Sequence, residues 1–196
     1  VFMSKDLLII SEQKKKDAYS IVEKLQLETV LGKSFVVKVV GSTVYNLMTW
    51  RDLDFDLVTP VLPDNKVYFT LVKYLFNLPE VKKLTLVDNR NLEGRDRPRS
   101  LYIGLQYIDS KNEIWKLDIR LLPKEDVVTD RVADLVHEKL TDTFRHYILE
   151  IKTKVHNNPK YHKSFSITDI YNAVLLKNIT DLGGFESYLK TVGKSL

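Results

Sequence analysis

The 196-residue sequence contains no cysteine and only four histidines. Without cysteine it can form neither disulfides nor thiolate zinc sites, which agrees with the cytoplasmic location that we expect. A zinc-protease helix is excluded as well, because the second histidine that His137 and Glu138 would require falls at Thr141. No apolar run approaches a membrane span, and apolar residues 7–10 are too few for the core of a signal peptide. We therefore expect no membrane partner.

The residues that are present describe an ordinary globular protein. Hydrophobic residues make up 44% of the chain and charged residues 29%, which is usual for a soluble domain. The net charge is +4, and the isoelectric point is near 9.0. Mild basicity would help to hold a triphosphate or an RNA, and it equally fits a lysine-rich surface.

Hydrophobic spacing predicts strands mixed with helices in the first two thirds of the chain and helices alone in the last third. The expected strands are 35–40, 52–58, 81–87, 101–108 and 113–122. The expected helices are 12–25, 67–76, a long helix from Thr129 that ends before Asn157, then 167–176 and 184–191.

The most informative stretch places a glycine turn ahead of closely spaced carboxylates. The apolar strand 35–40 delivers Gly41 and Ser42 to the end of a sheet, where we expect Ser42 to open a short helix through Leu47. Such a turn points backbone N–H groups at an anion, most simply a phosphate.

The strand that follows this turn carries acids on one face. Alternation separates carboxylates from apolar side chains, with Asp52, Asp54 and Asp56 opposite Leu53, Phe55 and Leu57. Like charges at this spacing repel, and a divalent cation between them would relieve the repulsion, with Mg²⁺ the obvious candidate. Taken alone, Asp52 could simply pair with Arg51 or cap a turn.

A third carboxylate lies far along the chain. Strands 101–108 and 113–122 flank a polar turn and predict an antiparallel hairpin. Asp118 lies in the second of these strands between apolar residues, where a lone acid needs a partner. That partner could be a metal, the neighbouring Arg120 or a buried lysine.

Together these residues resemble a known family. Gly41-Ser42, eleven intervening residues, Asp54-Phe55-Asp56-Leu57-Val58 and a distant Leu117-Asp118-Ile119 are similar to the signature of the nucleotidyltransferase superfamily, which includes DNA polymerase beta and the antibiotic-modifying nucleotidyltransferases. The resemblance covers about 35–122. It implies an α/β (α+β) fold, with a palm domain of mixed central sheet at 1–125 and a helical C-terminal segment at 126–196.

The resemblance also implies an activity and a site. The protein would be an enzyme that transfers a nucleoside monophosphate from a nucleoside triphosphate, such as ATP, to an acceptor and releases pyrophosphate. Asp54, Asp56 and Asp118 would be catalytic and would hold two Mg²⁺ or Mn²⁺ ions, while Gly41 and Ser42 would bind the terminal phosphates of the nucleotide.

One departure from the family pattern leaves the metal register open. The residue before the aspartate pair is Leu53, where minimal members of the family often have serine. The pair Asp52/Asp54 could therefore serve in place of Asp54/Asp56. Asp54 belongs to both alternatives, and the continuation of the strand through Leu57 favours the second.

The acceptor and the choice of nucleotide are not specified by these residues. Within the family the acceptor could be a small molecule such as an aminoglycoside or lincosamide, a tRNA end or a protein side chain. Arg95, Arg97 and Arg99 could grip a phosphate or a charged acceptor, although a solvated loop is the stronger interpretation. The alternative function is a binding or regulatory module that keeps the fold and has lost turnover.

Overall fold

The computed structural model of the protein describes residues 4–91, 98–127 and 131–196. The described residues form two units. The first, which we call the sheet unit, contains the described residues of Lys15–Val44 and Trp50–Val128. The second, the helical unit, contains those of Val1–Lys14, Tyr45–Thr49 and Thr129–Leu196. This division into units does not test the predicted boundary at residue 125 between a palm domain and a helical segment, which stays a prediction.

The sheet unit is built on a mixed sheet of five strands. They are β1 (Val36–Val40), β2 (Asp52–Thr59), β3 (Val81–Asp88), β4 (Leu101–Ile108) and β5 (Ile114–Pro123). The strand order is β1-β2-β5-β4-β3, in which β2 and β5 are parallel and all other neighbours are antiparallel. The predicted mixed sheet and the predicted hairpin between β4 and β5 are confirmed.

The two central strands separate an apolar face of the sheet from a polar face. Alternate side chains are completely buried on one side, namely Leu53, Phe55 and Leu57 of β2 and Leu117, Ile119 and Leu121 of β5. Burial of each such side chain stabilises the fold by about 1.5–3 kcal/mol, so the alternation fixes which face is inside. The opposite face therefore carries the charged residues of both strands.

Three helices contribute to the sheet unit. The helix α1 (Ser4–Leu25) has residues in both units, and the short α2 (Leu27–Leu31) follows it without having been predicted. The third, α3 (Asn65–Phe76), begins two residues before the expected position because the Asp64 carboxylate accepts the N–H of Val67 at 2.9 Å.

The turn after β1 differs from the prediction. Gly41–Thr43 form a single 3₁₀ turn, and the expected helix through Leu47 is wrong. Asn46 has φ 56°, in the left-handed region that a continuing right-handed helix does not allow.

The helical unit contains α4 (Arg131–Lys139), α5 (Asp142–Val155), α6 (Ile167–Lys177) and α7 (Leu182–Thr191). The long helix expected from Thr129 is therefore two helices, because the Thr141 hydroxyl accepts the N–H of Phe144 at 3.2 Å and starts α5 as a new helix. The core of this unit is made of completely buried side chains that include Val136, Ile148, Ile151, Ile170, Val174, Phe185 and Leu189. In the described parts of the chain, no helix has the length and apolar character needed to cross a bilayer.

Candidate active site

The polar face of the sheet brings three pairs of charged residues side by side. The parallel register of β2 and β5 pairs Asp52 with Lys116, Asp54 with Asp118, and Asp56 with Arg120. The first and last of these pairs join opposite charges. The middle pair joins two carboxylates, an arrangement that is unfavourable on its own.

Three carboxylates converge around this middle pair. Asp52, Asp54 and Asp118 each offer an oxygen, and these oxygens all lie within 4.8 Å of one another. Carboxylate oxygens are the ligands that Mg²⁺ and Mn²⁺ prefer in proteins. The donor set therefore fits a divalent cation.

The electrostatics of Asp54 reflect this crowding. Burial, followed by the charges of Asp52 and Asp118, raises the pKa of Asp54 to about 7, although Lys116 and Arg120 act in the opposite direction. A carboxyl group whose ionisation is disfavoured by its neighbours gains most when a cation is placed beside it.

Asp56 lies apart from the three converging carboxylates. Its side chain is buried and accepts two bonds from Arg120, from Nε to Oδ1 at 2.8 Å and from Nη2 to Oδ2 at 3.0 Å. Of the three predicted ligands, the structure thus brings Asp54 and Asp118 together and turns Asp56 to an arginine. The third converging carboxylate is that of Asp52, and the pair Asp52/Asp54 is the alternative that the sequence had left open.

Gly41 lies directly against Asp54. The antiparallel pairing of β1 with β2 sets Val40 opposite Asp54, so the next residue begins its turn beside the carboxylate. Gly41 has φ +70°, and a Cβ added to it would lie 2.7 Å from Asp54 Oδ2. Only glycine suits both the backbone conformation and the close approach. Ser42 follows in the same 3₁₀ turn and is partly buried.

Tyr102 and Gly104 on β4 also belong to this site and were not predicted from the sequence. Gly104 is paired with Asp118, and a Cβ at Gly104 would lie 2.6 Å from Tyr102 Oη. The absence of that atom gives Tyr102 room to donate a hydrogen bond to Asp118 Oδ1 at 2.8 Å. Burial, then the hydrogen bond to Asp118, raises the pKa of Tyr102 to about 12. The i, i+2 spacing of the tyrosine and the glycine was the available signal, but it has meaning only once the hairpin register is known.

Lys116 is the second residue that was missed. Its Nζ donates to Asp118 Oδ2 at 2.6 Å and to Asp52 Oδ1 at 3.3 Å. Trp50 Nε1 donates to the other oxygen of Asp52 at 3.4 Å. Burial opposes the charge of Lys116, but the hydrogen bond to Asp118 and the charges of Asp52 and Asp118 outweigh it, and the pKa of Lys116 is raised.

No protein-family model matches the sequence, and no curated protein matches it. Solved structures do match. Cid1 poly(U) polymerase with MgGTP bound has a TM-score of 0.61 and 14% identity over 88% of this chain and 54% of that chain. Cid1 in complex with its short product ApU has a TM-score of 0.60 and 13% identity over 88% and 53%. The chain has the nucleotidyltransferase fold.

A cytoplasmic RNA terminal U-transferase is also similar, with a TM-score of 0.50 and 14% identity over 78% of this chain and 46% of that one. The nucleotidyltransferase fold expected from the motif resemblance is therefore confirmed. The chain spans about half the length of the solved structures that it matches.

Of the three arginines that could grip a phosphate, Arg99 lies among the described residues. Arg95 and Arg97 lie outside the described residues. Arg99 forms ion pairs with Glu125 at 2.6 Å and with Asp126 at 2.7 Å. Arg99 is thus engaged with two acids, so a role for it in binding phosphate would require exchange of partners.

Proposed function

We propose that this chain carries the catalytic sheet of a divalent-metal-dependent nucleotidyltransferase. The observation that carries the proposal is the convergence of Asp52, Asp54 and Asp118 on one polar face, with oxygens within 4.8 Å of one another. The fold, shared with a polymerase solved with MgGTP bound, supports the same class of reaction. Gly41 supports it further, because it marks a backbone turn held against one of the three acids.

In the proposed reaction an acceptor hydroxyl oxygen forms a bond to the α-phosphorus of a nucleoside triphosphate. The bond from the α-phosphorus to the oxygen that bridges it to the β-phosphate breaks, and pyrophosphate leaves with that electron pair. Mg²⁺ or Mn²⁺ bound by the three aspartates would supply positive charge for the phosphate oxygens and the leaving group. Most of the rate would come from positioning and electrostatics.

The residues of the chain have separate tasks in this scheme. Tyr102 holds Asp118 by Oδ1. Oδ2 accepts a hydrogen bond from Lys116 in this structure, and it would take the proton of the acceptor hydroxyl once that ammonium has turned away. Gly41 lets Asp54 lie against the turn after β1. We keep for Gly41 and Ser42 the predicted role of binding the β- and γ-phosphates through the backbone N–H groups and the serine hydroxyl.

For the acceptor, we propose the 3′ hydroxyl of an RNA. This rests on the similarity to Cid1, which was solved with the product ApU. The mildly basic composition agrees with an anionic substrate. A tRNA end and small hydroxyl-bearing molecules are the other acceptors to compare.

One observation favours a second candidate, a binding module that has the fold and no turnover. The ammonium of Lys116 lies between Asp52 and Asp118 and neutralises part of the charge that a metal would neutralise. If this ion pair is permanent, the three acids are a structural feature of the sheet.

The test is an incorporation assay with each of the four labelled nucleoside triphosphates, in Mg²⁺ or Mn²⁺, against an RNA oligonucleotide, total tRNA and aminoglycosides. We expect the wild-type protein to incorporate label into RNA, and we expect this incorporation to be lost when EDTA is added or when Asp54→Asn replaces the wild type. Binding of Mn²⁺ with a non-hydrolysable triphosphate, measured in parallel, separates the candidates. Tight binding without transfer to any acceptor would favour the module, and the absence of such binding would contradict the metal site.

A further inference from the structure

The pairing of β2 with β5 places Lys116 in the candidate site. It is the cross-strand partner of Asp52 and lies two residues before Asp118 on β5, so its side chain shares a face with both acids. Its Nζ is bonded to one oxygen of each, at 3.3 Å and 2.6 Å. These are two of the carboxylates through which the site would hold a cation.

The other cation on this face behaves differently. Arg120 contacts Asp56 through two parallel hydrogen bonds, and a planar guanidinium held in this way keeps one partner. Lys116 carries a compact charge on a flexible four-carbon stem, and 59% of its side chain is exposed. It can therefore swing towards solvent without disturbing the sheet.

We propose that Lys116 is a displaceable counter-cation, which neutralises Asp52 and Asp118 in the metal-free protein, leaves them when a divalent cation binds, and then contacts the triphosphate of the nucleotide. The proposal rests on the proposed function and adds a nucleotide-binding residue to it. It explains how three carboxylates can share one face before a metal is present.

The consequence is a coupling between metal and nucleotide. Without nucleotide, metal binding must break the two bonds of Lys116 and leaves its ammonium without these partners. With nucleotide, the phosphates offer that ammonium a new anion, so each ligand strengthens the binding of the other. The site would then fill with metal mainly as a metal–nucleotide complex.

The test compares Lys116→Met with Lys38→Met. Methionine keeps a stem of similar length and removes the charge. Lys38 lies on β1, is exposed and is the cross-strand partner of Asp56 on β2. Its substitution therefore removes a positive charge near the acids and leaves the hydrogen bonds from Lys116 to Asp52 and Asp118 in place. Free Mn²⁺ is measured by electron paramagnetic resonance in titrations with Mn²⁺ alone and with Mn²⁺ plus non-hydrolysable analogues of ATP and UTP.

For Lys116→Met we expect Mn²⁺ alone to bind about tenfold more tightly, because no ammonium has to leave, and the analogues to bind about tenfold more weakly. Lys38→Met should change either affinity less than about twofold. Equal Mn²⁺ affinity in wild type and Lys116→Met, or an equal shift in Lys38→Met, would overturn the role of Lys116 and leave the metal site intact. A wild-type protein that binds no Mn²⁺, even with nucleotide, would overturn the proposed function and the role of Lys116 together.

Discussion

Two neighbouring cross-strand pairs, Asp56 with Arg120 and Asp54 with Asp118, differ in whether the aspartate faces a cation or a second acid, and this difference decides their chemistry. Both pairs join β2 to β5, both lie on the polar face, and they are two residues apart. The first closes a bidentate ion pair with a buried carboxylate. The second sets two acids face to face and draws Asp52 into the group. Spacing along a strand therefore determines which acids share a face. The cross-strand partner determines which of these acids are already neutralised.

The largest expected effect comes from removing one of the three converging carboxylates, that of Asp52, and comparing the result with removal of the Asp56 carboxylate. Asp52→Asn should weaken the binding of Mn²⁺ with nucleotide by more than about 10²-fold, since loss of even an outer-shell partner of a metal site costs about 10–100-fold. Asp56→Asn should leave that binding within a few-fold of wild type, because its carboxylate is committed to Arg120. Isothermal titration of the two variants gives the comparison directly.

Asp56→Asn should instead lower the free energy of unfolding, by about 1–3 kcal/mol, because it weakens a charge-assisted pair whose acid is buried. We place the expected value low in this range because 42% of the Arg120 side chain is exposed. If Asp56→Asn abolished metal binding while Asp52→Asn retained it, the metal pair would be Asp54/Asp56.

The glycine turn gives the next largest effect. Gly41→Ala should push the Asp54 carboxylate from its position and lower nucleotide transfer by about 10²-fold, the size of effect expected for a misplacement of about 1 Å. Gly32→Ala is a matched control, because Gly32 has a similar φ of +73° and nothing within 4 Å of an added Cβ. Both variants should lose about 1–3 kcal/mol of stability through backbone strain, and Gly41→Ala alone should lose transfer. Equal transfer by the two variants would separate the turn from the site.

The two residue pairs should also differ in their dependence on pH, because the pKa of Asp54 is raised to about 7 from an ordinary value of 3.8. Between these values the folded metal-free protein keeps a proton on Asp54 that the unfolded chain has released. This contribution to stability is therefore complete at low pH and is lost as the pH rises to about 7.

Urea unfolding of metal-free wild type and Asp54→Asn at pH 5 and pH 8 measures this effect. We expect the wild type to lose at least about 1 kcal/mol more than the variant, since one pKa unit corresponds to about 1.4 kcal/mol. Parallel pH dependences for the two proteins would mean that burial and the neighbouring acids do not raise the pKa of Asp54.

The smallest effect concerns the hydroxyl that holds Asp118. Tyr102→Phe should weaken the binding of Mn²⁺ with nucleotide by up to about tenfold, the equivalent of one hydrogen bond of about 0.5–1.5 kcal/mol. Gly104→Ala should have at least as large an effect, because the added Cβ displaces the tyrosine as a whole. Unchanged affinity in both variants would show that Asp118 keeps its position without Tyr102.

Much of the fold could be predicted from the chain because its signals are local. Strict alternation in 101–108 and 113–122 gave the hairpin, and the helical spacing of 67–76 gave α3 to within two residues. The turn at Asn46 and the second start of a helix at Thr141 were missed, because each depends on one backbone angle or one hydroxyl hydrogen bond within an otherwise continuous pattern. The short α2 has too few residues to show a period.

The site was predictable only in part for a different reason. The motif indicated Asp54 and Asp118, and the structure places them directly across a ladder. Which further acid joins them, and which cations face them, depends on the register between strands that are about 60 residues apart in sequence. Lys116 and Arg120 look alike as basic residues of β5, and only that register gives one to the converging acids and the other to Asp56.

The charges of the polar face also select the pairing of β2 with β5 against its nearest competitors. A shift of one residue is excluded by the apolar face, but a shift of two residues keeps every apolar side chain inside. Either two-residue shift leaves one attractive charge pair and one repulsive pair among these six residues, with one aspartate opposite an apolar residue, either Ile114 or Leu122. The observed register has two attractive pairs around a single repulsion. The ion pairs on each side of Asp54 and Asp118 thus hold in place the contact between like charges that the proposed reaction would use.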